Sequence, residues 1–153
     1  MNFIVTNVDK TMELGEKIGT AVNAGDIICL TGDLGTGKTH FVKGLAKGLA
    51  ISDYITSPTF TIVNEYQGRL KLYHFDVYRI EEPEEVNAIG FDEYIFSDAV
   101  SIIEWANYIE ELIPEEALRI HISKKPEMGL DYRCIDITYT GERYSYIKEI
   151  SLW

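Results

Sequence analysis

Gly32-Asp33-Leu34-Gly35-Thr36-Gly37-Lys38-Thr39 spells G-x-x-x-x-G-K-T, and each residue type in that spacing has a use in holding a polyphosphate. Gly32, Gly35 and Gly37 admit backbone conformations barred to residues with a Cβ, so successive N–H groups can point inward at an anion. Lys38 supplies a mobile cation for the β- and γ-phosphates, and the Thr39 hydroxyl is placed to ligate Mg²⁺. An apolar run of strand length leads into the motif, and an amphipathic stretch from Thr39 to Leu49 follows at once. A helix starting there adds its unpaired N–H groups and partial positive charge on the same side. The segment reads as a phosphate-binding loop.

Two carboxylates farther along could complete such a site. Leu72-Tyr73-His74-Phe75-Asp76 is a hydrophobic run closed by an acid. Strand alternation puts Leu72, His74 and Asp76 on one side, with Asp76 at the end where ligands gather in open α/β sheets. Its expected role is to hold Mg²⁺ through a water. A second run, Ala99 to Ile103, is followed directly by Glu104 and Trp105. Glu104 is placed either to ligate the metal or to orient an attacking water, and Trp105 either covers the nucleotide or packs beneath the sheet. Between loop helix and second strand lies Ser57-Pro58-Thr59-Phe60. It is either a segment whose Thr59 hydroxyl senses the γ-phosphate or a plain proline-containing connection.

Bringing these groups together needs a particular order of elements. Met1 to Thr6 suits an edge strand, and Asp9 to Val22 a helix with Asn7 or Asp9 as cap and Gly25 as stop. The central strand, the loop and the helix from Thr39 come next, with Phe41, Val42, Leu45, Ala46 and Leu49 inward and Lys43 and Lys47 on a solvated face. Thr61 to Tyr66 and Leu70 to Phe75 flank Gln67-Gly68-Arg69, a hairpin signal. Glu81 to Glu85 starts a helix, Gly90 interrupts it, and Phe91 to Phe96 forms a second short one. Ala106 to Leu112 is helical, Ala117 to Ser123 and Tyr132 to Tyr139 form an antiparallel edge, and Glu142 to Trp153 is a final helix. The expected fold is α/β, a three-layer P-loop NTPase fold with a mixed parallel/antiparallel central sheet, in one domain over residues 1–153.

Composition narrows the function. The chain has 153 residues, 46% hydrophobic and 25% charged, enough for a core without staples. With no apolar run near ~18 residues and no basic-then-apolar leader, neither a membrane span nor a signal peptide is expected, and the cytoplasm is the default. Cys29 and Cys134 sit in apolar runs without C-x-x-C and read as buried thiols. A net charge of −11 argues against broad nucleic-acid contact, since phosphates are met by Lys and Arg. DNA is not an expected partner, and any RNA substrate must be held by something else. The guanine-reading motif N-K-x-D is absent, which favours ATP, and five arginines suit a nucleotide kinase poorly.

The motifs together are more specific than any one of them. The phosphate loop, Ser57-Pro58-Thr59-Phe60, Asn64-Glu65-Tyr66, His74-Phe75-Asp76-Val77-Tyr78-Arg79, Ile89-Gly90-Phe91 and Ile103-Glu104-Trp105-Ala106 stand in order. In this set the chain resembles the bacterial TsaE (YjeE) family from about Thr11 to Arg143. The resemblance implies a subunit that binds and slowly hydrolyses MgATP, working with TsaD and TsaB in tRNA threonylcarbamoyladenosine modification and meeting tRNA only through them. It implies that Gly35, Thr36, Gly37, Lys38, Thr39 and His40 line the phosphates, that Thr39 and Glu104 bind Mg²⁺ with Asp76 beside them, and that Asp76, Glu104 and Lys38 serve catalysis. It also places Thr11 near the base and Trp105 near the site. Position 40 departs from the pattern, since many members carry a second Thr where this chain has His40. Two alternatives from other classes are a small-molecule phosphotransferase and a binding module for which ATP is only a conformational ligand.

Overall fold

The computed structural model describes residues 1–58 and 62–152. The expectations for Thr59 and for the start of the strand at Thr61 lie outside the described residues. Seven strands form one sheet in the order β1-β7-β6-β2-β5-β4-β3. They are β1 (Asn2–Val5), β2 (Ile27–Thr31), β3 (Val63–Gln67), β4 (Lys71–Asp76), β5 (Val100–Glu104), β6 (Leu118–Lys124) and β7 (Arg133–Tyr139). The four inner strands β6, β2, β5 and β4 run parallel, and β3, β7 and β1 are antiparallel to their neighbours. The mixed α/β sheet is the one the sequence implies.

Strand alternation sorts the side chains into two cores. Ile28, Leu30, Leu72, Ile102 and Ile120 face helices α1 (Val8–Ala21) and α2 (Lys38–Gly48), while Cys29, Phe75 and Ile103 face α3 (Glu84–Asn87), α4 (Phe91–Ile95) and the 3₁₀ segment Ala106–Leu112. Three layers result. α1 opens as expected at Asn7, whose side chain accepts from the Lys10 N–H at 3.0 Å, satisfying one of the free donors of the first turn.

Four glycines let α1 and α2 touch backbone to backbone. A Cβ at Gly15 would lie 2.5 Å from the Phe41 carbonyl oxygen, and one at Gly19, Gly44 or Gly48 closer still to the carbonyls of Leu45, Met12 and Glu16. The seam fixes the helix that follows the loop against the helix that precedes β2.

Three expectations are corrected. The pair β6–β7 is not an edge: β6 lies parallel to β2, and β1 closes that side. Leu118, Ile120 and Ile122 are buried against α1 and α2, but Arg119, His121 and Ser123 alternate with them on the other face, half-buried or exposed, with Arg119 paired at 2.6 Å to Glu110 of the 3₁₀ segment, so an inner strand carries the polar alternation of an outer one. The hairpin turns one residue later than read, with Gln67 opposite Lys71. The C-terminal segment is a 3₁₀ turn at Glu142–Glu149. In three-residue turns Arg143 stacks over Tyr146, and Tyr144 over Ile147. Arg143 Nε and Tyr146 Oη then both donate to the fully buried Asp26, at 3.1 and 2.7 Å, while the Ile27 N–H donates to Tyr144 Oη at 2.9 Å. Beside that carboxylate, burial pushes the Tyr146 hydroxyl far up, so it stays a donor.

Both cysteines are buried and free; burial raises the Cys29 thiol to about 12, which leaves it inert as a nucleophile. Among the described residues no helix is long and apolar enough to cross a membrane.

Candidate functional site

The loop between β2 and α2 takes its shape from glycine. Gly37 sits at φ 105 as the residue before α2, and Gly32 at φ 146, where a Cβ would collide with the Ile122 carbonyl oxygen and come within 2.9 Å of Thr36 Oγ1. Only a residue without a side chain lets the chain pass β6 this closely.

A cleft of about 510 Å³ opens at the C-terminal ends of β2, β5 and β4. Gly35 to His40 form one wall, Thr11 contributes from α1, Ser57 from the segment after α2, and Asp76, Glu104 and Trp105 from the strand ends. Thr11, Gly35 to His40, Ser57, Asp76, Glu104 and Trp105, each singled out in the sequence, therefore meet in one place, while Gly32 shapes the loop without lining the cleft. Asp76 and Glu104 stand opposite each other in the β4–β5 register.

Lys38 is nearly buried. Its ammonium donates to the carbonyl oxygens of Gly32 and Asp33 at 2.6 and 2.8 Å and lies 4.2 Å from the centre of the Trp105 ring. Burial pushes its pKa down, opposed by the nearby Glu104, Asp76 and Asp33 carboxylates. Burial likewise pushes Asp76 up; the Tyr78 N–H, donating to its Oδ1 at 3.0 Å, pulls down, and the Glu104 charge adds to the rise. The Thr39 hydroxyl is 3.4 Å from that of Ser57, and His40 is exposed at the rim.

Trp105 satisfies both readings offered for it, since its ring packs on the lower core and also lines the cleft. It adopts φ 63, a left-handed conformation that costs a residue of this size about 1–3 kcal/mol. The turn is held by its N–H, which donates to the Leu30 carbonyl at 3.0 Å, and by stacking between Tyr78 and Tyr108, at 4.7 and 5.5 Å.

Sequence reasoning missed Val8, Leu34, Tyr78, Asp131 and Arg133, which also line the cleft. Arg133 is the most consequential of them. Its Nε donates to the Thr36 carbonyl at 3.0 Å and its Nη2 reaches the Gly35 carbonyl at 3.4 Å. Because a trans peptide holds C=O and N–H on opposite sides, fixing the Thr36 carbonyl also aims the Gly37 N–H. The one available signal was an Arg at the head of a strand in a chain with few.

A model of the family described as "Threonylcarbamoyl adenosine biosynthesis protein TsaE" matches residues 5–133. The chain belongs to the TsaE family. It is 44% identical over 144 residues to the tRNA threonylcarbamoyladenosine biosynthesis protein TsaE of Bacillus subtilis, covering 94% of this chain and 88% of that one. The TsaE of Treponema pallidum is 40% identical, over 80% and 90% of the two chains, and that of Streptomyces coelicolor 33%, over 87% and 93%. The crystal structure of Bacillus subtilis YdiB superposes with a TM-score of 0.83 at 39% identity, over 97% of this chain and 91% of that one. The P-loop fold of this TsaE family member and its glycine-lined cleft suit a nucleotide.

Proposed function

We propose that this chain is a single-domain, MgATP-hydrolysing subunit of the tRNA threonylcarbamoyladenosine machinery, acting in the cytoplasm with TsaD and TsaB. The observation that carries the reading is the meeting of Lys38, Thr39, Asp76 and Glu104 at one cleft beside the glycine loop. The donor set fits a small hard cation. Among the described residues no three His, Cys, Asp or Glu cluster as a metal cage, and Mg²⁺ commonly takes one or two protein carboxylates plus phosphate oxygens and waters.

The Gly35–His40 amides and Lys38 hold the phosphates, with the ammonium exchanging the Gly32 and Asp33 carbonyls for phosphate oxygens. Thr39, Glu104 and Asp76 hold Mg²⁺, which when bound neutralises charge developing on the transferring phosphate. Thr11 and Trp105 border the base, and Lys38, Asp76 and Glu104 are the catalytic groups. Ser57, beside Thr39, couples the metal side of the site to the Ser57–Thr59 segment, which acts as a switch. With a net charge of −11, the chain leaves the tRNA to its partners.

Reconstitution with TsaD, TsaB, threonylcarbamoyl adenylate and tRNA tests this reading. Repeated rounds of modification are expected only with this protein and ATP, and at most one round with a non-hydrolysable analogue. Equal modification without the protein overturns the reading, and ADP release driven by a small acceptor alone would favour a phosphotransferase. If the analogue supports as many rounds as ATP, nucleotide acts only as a conformational ligand.

Arg133 gives a separate test. Arg133→Ala frees the Thr36 carbonyl, and nucleotide affinity by calorimetry should fall about tenfold, in keeping with ~1.4 kcal/mol for a charge-assisted hydrogen bond. Arg133→Lys keeps the charge but not the fork and should bind no better than the alanine variant.

A further inference from the structure

His74 belongs to the motif that supplies Asp76 and Tyr78 to the cleft, yet the site described above gives His74 itself no part. It is fully buried and does not line the cleft. Its Nε2 lies 2.6 Å from Glu104 Oε2, with side-chain exposures of 0% and 3%, and its Nδ1 has no hydrogen-bond partner among the described residues. Leu72, two residues before it on the same face of β4, and Ile102, opposite it on β5, are both apolar. A histidine there leaves one ring nitrogen bare, where a leucine would leave none. Among the described residues the ring nitrogen that is bonded is Nε2, and its partner is Glu104.

The backbone around Glu104 is already fixed. β5 lies between β2 and β4, the Val77 N–H donates to the Glu104 carbonyl at 3.3 Å, and the Trp105 N–H is tied to Leu30. What remains free is the rotation of a flexible side chain. A donor at Nε2 removes that freedom by holding Oε2, and the other oxygen, Oε1, is neither hydrogen-bonded among the described residues nor sealed as an orphan.

We infer that His74 is a positioning residue: it donates Nε2–H to Glu104 Oε2 and so presents Oε1 to the magnesium side of the cleft. This rests on the reading of Glu104 as a magnesium ligand. Partners of this kind, one bond removed from a metal, typically change metal affinity 10–100-fold when lost.

The test is the ratio of ATP dissociation constants without and with Mg²⁺, measured by calorimetry in EDTA and in excess magnesium. Glu104→Ala sets the floor. His74→Leu should lower the wild-type ratio about tenfold or more toward that floor while leaving the metal-free constant within about twofold. His74→Gln, whose amide nitrogen reaches about as far as Nε2, should stay within about threefold of wild type. If His74→Leu does not fold, His74→Asn, whose amide is too short to reach, takes its place. A wild-type ratio kept by His74→Leu, or a His74→Gln ratio as low as that of the leucine variant, overturns the inference. A wild-type ratio of one, or a normal ratio in Glu104→Ala, defeats the magnesium reading of Glu104 and this inference with it.

Discussion

Lys38→Ala should erase the rise in melting temperature that MgATP is expected to give the wild-type protein. A ligand at about a hundred times its dissociation constant stabilises the native state by ~2.7 kcal/mol, and a chain of this length gains about 2–4 °C per kcal/mol. The wild-type shift should therefore be about 5–10 °C by differential scanning calorimetry, and the variant's close to zero. The ammonium belongs to the loop itself, and it donates there to two carbonyls. Its removal would take from a bound phosphate a positive charge in a nearly buried setting, and charge-assisted bonds are the strong ones. The same deletion removes the ties to Gly32 and Asp33, so the nucleotide-free melting point also falls, and the quantity to compare is the shift. Lys38→Arg should not rescue it, because a planar guanidinium does not fit the space of a compact ammonium. An undiminished shift in Lys38→Ala would remove the loop from the account of nucleotide binding.

Gly44→Ala should lower the melting point by about 4–8 °C, although alanine is the better helix former. The intrinsic preference favours alanine by ~1 kcal/mol inside a helix. Against it stands a Cβ built on top of the Met12 backbone carbonyl, an atom that no rotamer change can move. α1 and α2 must separate, and overpacking of this kind costs about 1–3 kcal/mol and occasionally more. Parting the helices also thins the contacts of Leu14, Ile18, Phe41 and Leu45, all fully buried, so the loss lies at the upper end and outweighs the propensity gain. A melting point equal to or above that of the wild type would show that the helices can part freely.

Much of the site was legible because its signals are local. The β2–loop–α2 unit, the capped α1, the hairpin and the acid-terminated strands each follow from a pattern within about a dozen residues, and the carboxylates read as strand ends lie in register as Asp76 and Glu104. What escaped depends on partners far along the chain. Arg133 meets the loop across 97 positions, and nothing in its neighbourhood announces a carbonyl to brace. Gly15, Gly19, Gly44 and Gly48 read locally only as weak points in two helices, because their purpose is each other's backbone. β6 reads as an edge because its outer face is polar and only partly buried, and alternation reports exposure of a face rather than position in a sheet. The Glu142–Glu149 segment carries a helical pattern, yet the anchor that selects its tighter turn is Asp26, more than a hundred residues away.

The register of β4 against β5 has a mechanical corollary. Asp76 and Glu104 are borne by adjacent strands, so the distance between their main chains is the interstrand repeat of roughly 4.8 Å, a length that loop movement cannot stretch. The sheet acts as a caliper set to one opening. Whatever rests between those two acids meets jaws of constant width, and adjustment to its size or charge falls to side-chain rotation alone.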